Sequence, residues 1–173
     1  AHSDGYENVG TVIQSYLYRS EEDIRVLAEH KIRVRLVKGA YREPASVAYP
    51  EKSDVDTAFD RLTEILLTYE RQVRGSLSGR NGLFPPLTAI GSHDLLRLQF
   101  AADCLRKLGL SAESLEFQFL YGIRRDLQQK YVDEGYPGRV YVPFGTHWYP
   151  YFMRRLAERP ANIGFFLNNF FKK

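Results

Sequence analysis

The chain has 173 residues, 44% hydrophobic and 14% aromatic, which is enough apolar material for a real core. Its net charge of +3 comes from Lys and Arg scattered along the sequence, which argues against nucleic acid as a partner. The one cysteine, Cys104, excludes an internal disulfide and a cysteine metal cluster, and no apolar run approaches the roughly 18 residues of a membrane span.

The opening AHSDGYENVG lacks a basic-then-apolar signal pattern, so a cytoplasmic setting is expected. A strand is predicted over 10–17, then a helix over 20–29 with Ser20 and Asp23 as a cap-like S-x-x-D. A strand over 32–37 follows. The next helix, 54–69, carries Val55, Phe59, Leu62 and Leu66 on one face, with Ser53 and Asp56 repeating the capping pattern. GSLSGRNGLFPP (75–86) is a turn-rich connection before a short strand over 87–91. A helix over 94–108 places Cys104 at core spacing. Then come a strand over 115–119, a helix over 125–134, a strand over 139–142 and a helix over 150–159. Strict βαβα alternation predicts a parallel sheet, and the class is α/β.

The run WYPYFMRRLAERPAN (148–162) holds the adjacent pair Arg154 and Arg155. Neighbouring guanidiniums repel, and helix formation asks for neither. A small anion resolves the conflict, because a carboxylate accepts paired N–H bonds from one fork and a further contact from the next. Tyr149 and Tyr151 supply aromatic walls beside that charge. The ordinary alternative is a solvated basic face.

Several segments occur in a specific order: VIQSYLYR (12–19), RLVKGAYREP (35–44), AYPEKSDVD (48–56), GSHD (91–94), LEFQFLYGIR (115–124), VYVPFG (140–145) and YPYFMRRLAER (149–159). Together they resemble the proline dehydrogenase family, and its single-function bacterial members most closely. RLVKGAY and the Tyr151–Arg155 stretch are the specific parts; GSHD alone would be weak. The resemblance implies a (βα)8 barrel that binds FAD and oxidises L-proline to 1-pyrroline-5-carboxylate, passing electrons to a quinone. It also implies that the first visible strand is the family's fourth. Residues 1–173 are thus expected to be a single domain, the C-terminal portion of a barrel with about five βα units. The first strands would come from an N-terminal part of the barrel or a partner chain.

By the resemblance, Arg35 is the arginine that approaches the flavin N5, where a fixed cation stabilises the reduced anionic ring. Gln14 matches the residue that hydrogen-bonds the pyrimidine edge. Val37, Lys38, Gly39, Lys52, Ser92, His93, Gln118 and Glu158 match positions lining the cofactor. The family usually has Thr before this His, and Ser92 keeps a hydroxyl. Arg154 and Arg155 would hold the proline carboxylate. Tyr141 and Tyr151 would wall the ring, with Tyr141 counted together with Arg35 as catalytic. Ala40, Tyr41 and Leu120 would complete an apolar slot. The strand-end candidates are expected to gather on one face, since barrel chemistry sits at the C-terminal strand ends.

A strand-end His is more often a cap or hydrogen-bond donor than a base. Hydride leaves a carbon beside nitrogen, so the deprotonated amine supplies the push and no strong protein base is essential. His2, His30, His93 and His147 have no metal-ligand spacing. The absence of G-x-G-x-x-G counts against a Rossmann-type site but not against a barrel-held flavin. Two other readings stay open: a non-catalytic flavin-binding or structural barrel fragment, and a different barrel enzyme acting on an anion such as a phosphate. The aromatic tail NIGFFLNNFFKK (162–173) is either a final strand and helix closing the barrel or a patch facing a partner or, peripherally, a membrane.

Overall fold

The computed structural model of the chain describes residues 5–6, 9–39, 41, 43–73 and 85–146. The strands are β1 (Gly10–Gln14), β2 (Arg33–Val37), β3 (Thr88–Gly91), β4 (Glu116–Leu120) and β5 (Gly138–Tyr141). Between them lie the helices α1 (Ser20–Glu29), α2 (Lys52–Gln72), α3 (Leu95–Lys107) and α4 (Arg125–Asp133). A short 3-10 turn, Ala112–Ser114, precedes β4. All four strand pairings are parallel and the sheet order is β1-β2-β3-β4-β5. A doubly wound sheet reverses its order and covers both faces with helices. Here the order never reverses and the helices bury one face. The parallel sheet is the one the alternation predicts, and the arrangement is a partial (βα)8 barrel, as the resemblance implies.

Strand parity explains the two faces. Val34, Leu36, Ile90, Phe117 and Phe119 join Ile24, Phe59, Leu66, Leu98, Leu105 and Leu127 in one buried cluster, which is the helix-covered side. Positions one residue out of phase, including Val12, Arg35, Gly91 and Gln118, form the open face. The long apolar face of α2 supplies Phe59, Leu62, Leu66 and Leu67 to this core. Tyr131 and Tyr136 close its lower corner around Phe117, with ring centroids 4.3 and 5.1 Å from that phenyl. Cys104 is a free thiol, buried in the same cluster.

Three expectations need correction. The first strand ends at Gln14, not at residue 17. Ser15 and Tyr16 still donate their N–H groups to Val37 and Lys38, but Leu17 then turns to bridge Ala48 in the antiparallel sense. Neither S-x-x-D is a capping device. Arg19 occupies the N-cap of α1 without a side-chain cap, while the Ser20 hydroxyl donates to the Gln14 carbonyl at 2.6 Å and Asp23 pairs with Arg19 at 2.8 Å. Glu51 is the N-cap of α2, and Asp56 is engaged by lysines instead. Finally, a barrel lacking its first strands is expected to leave Val12, Val34 and Leu36 alike with incomplete neighbours. Val34 and Leu36 are already covered by helices, at 1% and 0% exposure, and only Val12, at 42%, lies on the open face.

Candidate functional site

The register lines up two rows across the open face. Val12, Arg35, Ala89 and Glu116 are successive partners, and so are Gln14, Val37, Gly91, Gln118 and Arg139. Tyr141 pairs with Leu120 one step above. Six residues expected from sequence therefore share this face: Gln14, Arg35, Val37, Gln118, Leu120 and Tyr141. Ala89 and Gly91 are small, so the Arg35 side chain can cross β3 and donate from Nη1 to Gln118 Oε1, a long contact of 3.4 Å. Its Nε–H is buried and has no hydrogen-bond acceptor among the described residues. Below this contact, the Gln118 amide donates to Glu116 Oε1 at 2.5 Å. Arg139 clamps the same carboxylate with two bonds of 2.9 and 3.0 Å.

The strand-end residues do not all turn to one face. Lys38 is one residue out of phase with Val37, and its ammonium lies on the helix side, 5% exposed, between Asp56 of α2 and the α3 cap Asp94. The Lys38–Asp94 distance is 2.5 Å. Burial pushes the Asp56 and Asp94 carboxyls up, but Lys38, aided by Lys52 at Asp56, outweighs it and holds both below the usual range. Ser92 is on the same side, its Oγ accepting from the Asp94 N–H at 3.2 Å. Asp60 completes the cluster against Arg97 at 3.1 Å. Burial dominates there and raises its carboxyl to about 6.

His93 returns to the open side. Its Nε2 accepts the Leu120 N–H at 2.9 Å, which puts the proton of the neutral ring on Nδ1 and removes Nε2 as a free base. Its ring lies 5.9 Å from that of Phe119. Gly39 has φ 108°, and a Cβ there would sit 2.3 Å from the Tyr16 ring, so only glycine fits this turn. Tyr41 is 59% exposed, and Lys52 is an exposed partner of Asp56. Ala40, Tyr151, Arg154, Arg155 and Glu158 lie outside the described residues.

Glu116, Arg139, Asp56 and Asp94 escaped the sequence reading. For Glu116 and Arg139 a signal existed. The alternation in LEFQFL puts Glu116 on the face of Gln118, and parity on β5 puts Arg139 with Tyr141.

The comparisons with known proteins converge. A model of the family described as proline dehydrogenase matches residues 1–168. This chain belongs to the proline dehydrogenase family. It is 45% identical over 168 residues to proline dehydrogenase 1 of Bacillus subtilis, covering 97% of this chain and 51% of that protein. It is 44% identical to a proline dehydrogenase of Deinococcus radiodurans, with 97% and 49% covered. Among solved structures, it superposes with a TM-score of 0.73 on proline utilization A from Bdellovibrio bacteriovorus, a protein inactivated by N-propargylglycine. Identity there is 31%, over 87% of this chain and 16% of the other. The chain spans about half the length of the curated relatives it matches.

Proposed function

We propose that this chain forms the FAD- and proline-binding part of an enzyme that oxidises L-proline to 1-pyrroline-5-carboxylate. The observation that carries this reading is the buried Nε–H of Arg35 on the open face, which no acceptor among the described residues claims. An orphaned buried donor is costly unless a ligand supplies the acceptor. A planar ring with acceptor nitrogens suits it, and the small Ala89 and Gly91 leave room over β3. Bound FAD supplies a two-electron acceptor for the hydride that leaves the carbon beside the proline nitrogen.

The residues of this chain then divide the work. Arg35 holds a fixed positive charge where negative charge accumulates. Gln14 and Gln118 offer amide groups along the same face. Val37, Gly39 and His93 line it, with His93 held neutral and oriented by the Leu120 N–H. The side chains of Lys38 and Ser92 serve from behind the strands, by fixing the loop that carries His93. Lys52 and Glu158 belong to the cofactor's outer end. Tyr141, Leu120, Ala40, Tyr41 and Tyr151 form the slot that excludes water around the substrate ring, and Arg154 and Arg155 bind its carboxylate. Electrons pass onward to a quinone. The setting is cytoplasmic, with peripheral contact at the inner membrane for quinone exchange. No described helix is long and apolar enough to cross a membrane.

The test is made on the native-length protein. It is expected to purify yellow, and anaerobic L-proline should bleach the flavin absorbance. Replacing Arg154 or Arg155 by Met should weaken a carboxylate inhibitor by about 2–4 kcal/mol while flavin content changes little. A colourless protein that does not take up FAD, or a flavoprotein that proline does not reduce, rejects the reading. Unchanged inhibitor binding in both Arg variants rejects the carboxylate assignment alone.

A further inference from the structure

We infer that Glu116 is a positioning residue for Arg35, acting through the amide of Gln118; this rests on the reading of Arg35 as the cation beside the flavin. Glu116 is 3% exposed, yet it lies on the open face of β4, two residues below Gln118. A carboxylate placed there needs a reason, because burying one without partners is expensive. Its partners are the forked Arg139 guanidinium on β5 and the Gln118 side-chain N–H.

The consequence lies in the direction of the Gln118 amide. A Gln side chain presents two donors at one end and an acceptor at the other, and either end can face a neighbour. An ionised carboxylate only accepts. Glu116 therefore draws the NH2 end downward and forces Oε1 upward, toward Arg35 Nη1. Reversed, the amide would point donors at a guanidinium that itself only donates. Arg139 fixes the carboxylate in place with its two donated bonds. The chain Arg139–Glu116–Gln118–Arg35 thus links β5, β4 and β2, passing over the small Ala89 and Gly91 of β3, and it aligns one side of Arg35 while leaving Nε–H unclaimed among the described residues.

Glu116→Gln in the native-length protein tests this, since the substitution preserves shape but offers both ends of an amide to Gln118. Flavin content should stay near wild type. The rate of flavin reduction by proline should fall about 10-fold, as is typical when the partner orienting a functional group is lost. The flavin midpoint potential should move in the same direction as in Arg35→Met. In a Gln118→Leu background, Glu116→Gln should add nothing, because the relay is already cut. Arg139→Met removes the exposed anchor and should reproduce a smaller version of the defect, and it decides the matter if Glu116→Gln does not fold. Wild-type reduction rates in both Glu116→Gln and Arg139→Met overturn the role of Glu116. So does a Glu116→Gln effect of equal size with and without Gln118. Should Arg35→Met itself leave rate and potential unchanged, the parent reading of Arg35 fails instead.

Discussion

The two faces of the sheet treat their cations in opposite ways. On the helix face, Lys38 is enclosed by two carboxylates that it also holds ionised. On the open face, Arg35 meets a neutral amide at 3.4 Å and keeps a buried Nε–H that no acceptor among the described residues uses. The first is what a barrel needs to lock helices onto strand ends. The second makes sense when a further molecule completes the coordination. Residues three apart on one strand and its following loop thus reach opposite faces, separated only by strand parity.

The helix face should give the largest response. Lys38→Met leaves Asp56 and Asp94 facing each other with only the exposed Lys52 in compensation. Removing one partner of a buried ion cluster costs about 3–5 kcal/mol. The urea midpoint of the native-length protein should fall accordingly, with flavin lost only as the protein unfolds. A variant that stays stable but releases flavin would instead put the Lys38 side chain in direct service of the cofactor.

Arg35→Met should do the reverse, with stability nearly unchanged and chemistry impaired. Losing a preorganised charge at a reacting centre costs about 10²-fold, or about 3 kcal/mol of barrier. The flavin midpoint potential should drop, because the reduced anionic ring loses its counter-charge. An unchanged or raised potential in a spectroelectrochemical titration would remove Arg35 from the flavin.

A third response belongs to neither cation. Glu70 of α2 is 1% exposed at the start of β3, where one of its oxygens accepts from the Thr88 N–H and hydroxyl at 3.1 Å each. Its other oxygen has no partner among the described residues, and burial raises the carboxyl to about 7 despite the Thr88 bonds. A carboxyl raised on folding binds more protons in the native state than in the unfolded one. Its contribution to stability is present below the unfolded value and is lost as pH rises toward 7. Glu70→Gln should therefore be neutral near pH 4 and stabilising by about 2–3 kcal/mol at pH 8, read from urea midpoints at the two pH values. Equal differences at both would show that Glu70 does not titrate in this window.

The sequence made the fold legible because its alternation is regular. The β2 and α2 segments carry apolar residues at spacings of two and of three to four, and these became the helix face and the helix that covers it. The open-face residues were legible through motif order, and parity alone would have assembled Arg35, Gln118 and Tyr141. What stayed hidden depends on where polar side chains end. Asp56 reads as a helix cap in sequence, yet the ammonium of Lys38, eighteen residues earlier, claims it. Glu116 reads as an ordinary strand glutamate until Arg139, the register partner of Gln118, reaches back to it.

The smallest effect should come from the gap between the faces' two arginine partners. Gly91 lies on the open face between Val37 and Gln118. A Cβ there would approach Val37 Cγ1 to 3.0 Å and Arg35 Cγ to 3.6 Å. Val37 can yield by a few tenths of an ångström, since this face is only partly packed. Gly91→Ala should therefore cost about 1 kcal/mol or less of stability, the low end for overpacking. The new methyl makes only ordinary van der Waals contact with the Arg35 stem, but it fills part of the groove through which Arg35 reaches Gln118 at 3.4 Å. The expected signature is a several-fold loss in flavin reduction rate with a urea midpoint close to wild type. Gly91→Val, with two more methyl groups in the same groove, should deepen the kinetic loss further. If both variants reduce their flavin at the wild-type rate, then Arg35 does not depend on the groove that the small residues of β3 leave open, and its alignment must come from the loops above the sheet.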